Sequence, residues 1–189
     1  MIRGLWNRET VAAVLLAAHL PIVVMWIAYG GADTLFRFGL AALVIGVWHL
    51  VFLLVRAQAP SLSAVLAALA IAILMPEDLG ALRSALGISF GIVMGELVFG
   101  GWGRNVVHPA TVALSFLGFG FPAFGWPAFD APVAWAVVPA ALIGMGTGVM
   151  PGGVIAGAVI VGAAAGVFGV LPVPVLHVGA LVLVLLVAD

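Results

Sequence analysis

One stretch concentrates the side chains that could do chemistry in this chain: Glu96-Leu-Val-Phe-Gly-Gly-Trp-Gly-Arg-Asn-Val-Val-His-Pro-Ala110. It sets Gly100, Gly101, Gly103, Asn105, His108 and Pro109 between two long apolar runs. Asn105 offers two donors and an acceptor, and a neutral His108 offers one of each. Such a set suits the imide and carbonyl edge of an isoalloxazine, a quinone carbonyl or a urea-like amide. Gly100, Gly101 and Gly103 let the backbone approach a ligand closely. Pro109 opens the next half-helix at a position where its missing N–H costs nothing. The N–H groups of that first turn, with the positive end of the helix dipole, suit a reduced, partly anionic ring. Thr111, in the same turn, completes the candidate binding set. The alternative for these residues is a structural re-entrant turn, with Asn105 and His108 satisfying stray carbonyls.

Glu96 stands one turn before the glycines. A charge at the centre of a bilayer costs about 2.5–3.5 kcal/mol, so Glu96 is expected to reach the interface or to pair with Arg104. A proton or cation relay is the alternative. His19, His49 and His177 each sit in an apolar run and are expected to make helix-packing hydrogen bonds; a two-histidine haem is the sharper alternative. No catalytic residue and no metal site is assigned.

Composition sets the surroundings in which these residues must work. The 189 residues are 66% hydrophobic and 7% charged, with six Arg and no Lys, and the mean hydropathy is +1.37. Soluble domains carry roughly 25% charged residues. The chain is therefore expected to be an all-α integral membrane protein, with the lipid bilayer as its solvent. A net charge of −1 without a basic run excludes nucleic acid as a partner. Without cysteine the chain builds no disulfide, thiolate metal site or iron–sulfur cluster on its own ligands. The first apolar run, 11–29, is too long for a signal-peptide core and lacks a small-residue cleavage site, so it is expected to be retained.

Hydropathy and turn residues predict about eight membrane segments, including short or half helices. They cover 11–29 (interrupted by His19-Leu20-Pro21), 36–56, 62–75, 82–100, 109–121, 133–149, 154–170 and 175–189. At about 1.5 Å per residue, 62–75 cannot span a hydrocarbon core of about 30 Å. Arg3, Arg8, Arg56 and Arg104 place the N-terminus in the cytoplasm, with Glu77, Asp78 and the Trp126/Asp130 connector outside. Trp126, Phe129 and Trp135 suit an interfacial aromatic belt. Gly144, Gly146, Gly148, Gly152, Gly153, Gly157, Gly162 and Gly166 supply small faces for close helix contact. Segments 60–78 and 174–189 are both short apolar runs opened by Pro and closed by an acid. They suggest an incomplete inverted repeat within a single polytopic domain, 1–189: repeat one over 10–121 and partial repeat two over 131–189.

Phe99-Gly-Gly-Trp-Gly-Arg-Asn-Val-Val-His-Pro-Ala110 resembles the RnfD and NqrB membrane subunits of the Rnf and sodium-pumping NADH:quinone oxidoreductase complexes. That family shows an aromatic followed by Gly-Gly-x-Gly-x-Asn-x-x-Asn-Pro-Ala at this point. His19-Leu20-Pro21, the short segment ending at Pro76, Leu171-Pro-Val-Pro-Val-Leu-His177 and Ala188-Asp189 extend the resemblance over most of the chain. It corresponds to roughly the first eight of the family's ten helices. The resemblance implies an inverted-repeat fold similar to that of urea transporters and a multi-pass subunit of the bacterial inner membrane. It implies other membrane subunits of a redox complex as partners, and electron transfer coupled to ion movement. It sets Asn105 and His108 on the two Asn positions of the motif, a region that lies at a non-covalently bound riboflavin in the NqrB branch.

The chain departs from that pattern in three respects, of which the first is that no counterpart of the family's last two helices is expected. Nothing matches the Ser-Gly-Ala-Thr motif that carries covalent FMN, and 116–146 contains no Ser or Thr. A basic residue often stands where this chain has Glu96. Riboflavin or FMN is therefore expected to be non-covalent. Neither catalysis nor ion pumping is expected of this chain alone. The alternative functions are a small-solute channel or carrier of urea-transporter type and a cofactor-free accessory subunit.

Overall fold

The computed structural model describes residues 7–127 and 129–167, and no strand occurs among them. The described residues divide into two compact units, one within 32–127 and one that combines residues of 1–31 with residues beyond 128. Helix α1 (Arg8–Arg56) runs through both and leaves helical geometry at Gly31, where φ is 61° and ψ is −143°. Its 49 residues would extend about 74 Å, more than twice a hydrocarbon core of about 30 Å. The break at Gly31 divides it near the expected boundary between the first two segments. Pro21 does not interrupt it: the helix continues through that residue, because a proline removes one ladder bond without forcing a stop. Apolar side chains along α1 remain exposed, among them Leu20, Val24, Leu43, Leu54 and Val55. It is long and apolar enough to cross a membrane.

In the unit of residues 32–127, helix α2 (Ser63–Leu74) is Ala, Leu and Ile on nearly every face. A helix apolar all round belongs in a core, and 66–74 are all buried. It ends at Met75, extended at φ −65° and ψ 148°, as the residue before Pro76 should be. Helix α3 (Ala81–Ile92) continues into a π-helical turn, Val93–Leu97. Helix α4 (Pro109–Gly120) returns antiparallel to it and packs on α2, α3 and the π turn.

Small residues fix the α3–α4 contact. A Cβ on Gly87 would lie 2.2 Å from Leu117, one on Gly91 2.3 Å from Ala113, and one on Gly95 2.7 Å from the Pro109 backbone. Positions 87, 91 and 95 step forward by four as 117, 113 and 109 step back by four. This i, i+4 ridge lets two helix backbones touch. At the far end of the pair the Glu77 N–H donates to the Gly125 carbonyl (3.0 Å). The Arg83 guanidinium lies over the Phe121 and Phe124 rings at 5.9 and 5.2 Å. Trp126 rests against Gly118.

In the other unit, the first half of α1 buries Ala12, Leu15, Ala18, His19, Ile22 and Trp26 on one face. Helix α5 (Ala131–Trp135) starts with a Pro in its first turn and runs almost directly into α6 (Val137–Gly146). Helix α7 (Gly152–Val167) follows. The expected glycine face is only partly used there. Gly144 is pressed against Met150, with a Cβ 2.4 Å from Sδ, whereas Gly146, Gly148, Gly153 and Gly157 meet nothing within 4 Å; Gly148 instead takes a positive φ of 75°. The expected eighth segment, 175–189, and His177 lie outside the described residues.

Gly91→Ala should destabilise the protein by about 1–3 kcal/mol, because its methyl must push two backbones apart. Gly39→Ala, which meets open space, should be neutral or up to about 1 kcal/mol stabilising. Thermal unfolding of the two variants in the same detergent checks this, and equal melting would mean that the ridge is not in tight contact.

Candidate functional site

The π turn carries α3 directly into the glycine stretch. The Val98 N–H donates to Val93 O (3.0 Å) and the Gly101 N–H to Glu96 O (3.1 Å), both spanning five residues. Gly100, Gly101 and Gly103 then take φ of 100°, 97° and 79°, a region open to glycine at no steric cost. A Cβ on Gly101 would also lie 2.8 Å from Gln58 Nε2. These glycines therefore build the hairpin itself, and any close approach to a ligand is additional to that role.

Asn105 and His108 are drawn into the same construction. Asn105 Oδ1 accepts the Gly103 N–H at 3.0 Å, closing a side-chain turn. His108 is the N-cap of α4, and its Nδ1 accepts the Ala110 N–H at 3.2 Å. That bond satisfies one of the orphan donors at the helix start and fixes the His108 ring. Both side chains thus accept a bond from a backbone N–H, a structural role distinct from the carbonyl-satisfying alternative raised from the sequence. The structure brings Gly100, Gly101, Gly103 and Asn105 into one turn. His108 is set at the head of α4, and Thr111 lies on the helix beyond.

Thr111 faces an open cleft of about 570 Å³ shared with Phe90, Val107, Val112, Ser115 and Phe116. Its hydroxyl oxygen is buried without a hydrogen-bond partner. Phe90 and Phe116 stack there, centroids 4.6 Å apart and planes at 24°. Sequence reasoning does not single out these two rings. The available signal is the four-residue spacing of Gly87 and Gly91, which marks the face of α3 that meets α4 and is flanked by Phe90.

Glu96 corrects the expectation made for it. It neither reaches an interface nor pairs with Arg104: it is 1% exposed, and its Oε1 lies 4.0 Å from His49 Nε2. Close packing of Gly95 on Pro109 holds that turn against α4, away from solvent. Arg104 instead lies against Gly100. His19 bonds within its own helix rather than across a helix contact, with Nδ1 at 2.6 Å from Leu15 O, whereas His49 has no hydrogen-bond partner on either ring nitrogen. At the opposite end of the unit, Arg37 donates to Met75 O. Asp33, Glu77 and Asp78 are close enough to act on its charge.

These features define a class: a helical protein suited to apolar surroundings, with a glycine hairpin docked at the end of a tight helix pair. The chain belongs to the NQR2, RnfD, RnfE family, whose pattern it matches over residues 5–187. Its relatives include the NqrB component of the Na(+)-translocating NADH-quinone reductase in several bacteria. With that of Yersinia pestis it is 34% identical over 125 residues, covering 65% of this chain and 30% of that protein. With that of Stutzerimonas stutzeri it is 33% identical over 93 residues, covering 49% and 23%. With that of Klebsiella pneumoniae it shares 36% over 77 residues, covering 41% and 19%. The chain thus spans less than a third of the length of each of these relatives.

His108→Ala should cost about 1 kcal/mol through loss of the α4 cap, and His108→Ser should recover most of it. Thermal unfolding of the two variants checks this. Equal stability of His108→Ala and the parent would show that the cap contributes nothing.

Proposed function

We propose that this chain is a membrane subunit of an electron-transfer complex of the Rnf or Na(+)-translocating NADH-quinone reductase type, holding a riboflavin or FMN non-covalently. Family membership over residues 5–187 carries the first part. The second rests on the Thr111 cleft, whose volume of about 570 Å³ falls within the range of ligand pockets. The stacked Phe90–Phe116 pair offers an aromatic surface to a planar ring. The orphaned Thr111 hydroxyl offers a hydrogen bond to a ring carbonyl. Asn105 keeps its amide N–H donors outside the bond to Gly103. The positive end of the α4 dipole favours negative charge on a reduced ring. A flavin held there supplies one- and two-electron transfer chemistry. The chain's own residues bind and orient it.

The same proposal takes in the finer architecture. It includes about eight segments in an incomplete inverted repeat, insertion in a bacterial inner membrane with the N-terminus inside, and docking to other membrane subunits. The second reading is a cofactor-free accessory subunit. It is favoured by one observation: the Asn105 Oδ1 and His108 Nδ1 acceptors are already taken by backbone N–H groups.

Protein purified in mild detergent should be yellow. It should release riboflavin or FMN on denaturation and leave a chain of unmodified mass. Thr111→Val should weaken retention about fivefold or more, the worth of about one hydrogen bond, as read by flavin fluorescence after washing. A colourless sample that binds neither added flavin would overturn the flavin assignment and leave the accessory reading.

A further inference from the structure

Glu96 is buried to 1% exposure, and neither carboxyl oxygen has a hydrogen-bond partner. The Trp102 backbone N–H lies near the same carboxyl without meeting hydrogen-bond geometry to either oxygen. A carboxylate left alone in such a place is costly enough that it takes up a proton or finds a counter-charge. His49, 5% exposed, presents Nε2 at 4.0 Å from Oε1, about 1 Å beyond hydrogen-bond length. Both of its ring nitrogens are also without a partner. Two buried titratable groups therefore face each other across the unit, one from α1 and one from the turn after α3.

The local backbone supports a functional use. Glu96 lies in a π-helical turn, an irregularity frequent at functional sites because the extra residue re-aims a side chain. The Gly95 contact with Pro109 clamps that turn on α4. The other charged or titratable groups on the packed elements are engaged elsewhere. Arg56 donates to Val98 O (3.5 Å), Arg104 lies against Gly100, and His108 caps α4. Helix α2 carries no titratable side chain.

We propose that Glu96 and His49 form a buried proton-binding site that holds one exchangeable proton between them. In one form the carboxyl carries the proton and the imidazole is neutral. In the other the O–H bond has broken, an N–H bond has formed on Nε2, and carboxylate faces imidazolium. The pair has zero net charge in both forms, so the proton moves within it without changing the charge buried in the apolar interior. Release to water leaves a carboxylate and a neutral ring. That exchange runs through His49, because His49 and not Glu96 lines an open cavity of about 330 Å³ with Phe38, Ile45, Gly46, Pro60 and Ala64. This site is separate from the Thr111 cleft and does not depend on a flavin.

Infrared spectroscopy of the full chain, with ¹³C-labelled glutamate carboxyls in lipid vesicles, tests it. Between about pH 5 and about pH 10 a protonated-carboxyl band should convert reversibly to carboxylate. Glu96→Gln should abolish the protonated band. His49→Phe should raise the midpoint by about one pH unit or more, a tenfold tighter hold on the proton, because the carboxylate left by release then loses the polar ring that faces it and stands among apolar side chains. Should Glu96→Gln fail to accumulate, His49→Phe alone decides the point, since the other glutamates, Glu9 and Glu77, are exposed. A Glu96 carboxyl that keeps one form across the whole range would overturn the proposal. So would a midpoint unmoved by His49→Phe.

Discussion

The contact between α3 and α4 is the constraint on which the unit of residues 32–127 depends. Three glycines spaced by four let the two backbones meet at the distance of single methyl groups. Within a membrane such contact matters more than apolar burial, because lipid is as apolar as the side chains and packing must supply the attraction. Both helices are short, at twelve residues each, so the contact occupies nearly their whole length. The π turn, the glycine hairpin, the α4 cap and the stacked phenylalanines all sit near this seam.

That geometry reassigns the polar residues. Asn105 and His108 look available in the sequence because nothing nearby competes for them. In the fold, the hairpin frees backbone N–H groups that need acceptors, and these two side chains supply them. A buried amide N–H left unpaired is expensive, so the structural role comes first and any ligand must use the remaining donors. Glu96 has the opposite history. As a lone acid near the end of an apolar run, it suggests a surface position. The extra residue of the π turn and the seam at Gly95 turn it inward instead, and it meets a histidine from a distant helix.

Local features of the fold were legible in the sequence. The short all-apolar segment before Pro76, the helix opening at Pro109 and the glycine hairpin all appear within a residue or two of their expected positions. Each is set by chemistry local to the chain: proline geometry, the freedom of glycine, or an unbroken apolar run. The expected interruption at Pro21 is absent for a related reason, since a proline inside a helix biases the backbone without dictating a break. The glycine face of α6 and α7 is only partly realised, because small residues permit close contact but do not create a partner for it.

The sequence by itself determined that the chain is apolar, that its described part is helical, where several of its turns fall, and the family to which it belongs. These follow from composition, from short-range backbone preference and from a motif contiguous in the chain. Only the tertiary structure decided that His49 faces Glu96, that Phe90 stacks on Phe116, that Thr111 keeps an unpartnered hydroxyl, and that Asn105 and His108 serve the backbone. Those facts depend on helix register and on which faces meet. A nearly uniform apolar chain encodes little of that, because one apolar face looks much like another until packing selects between them.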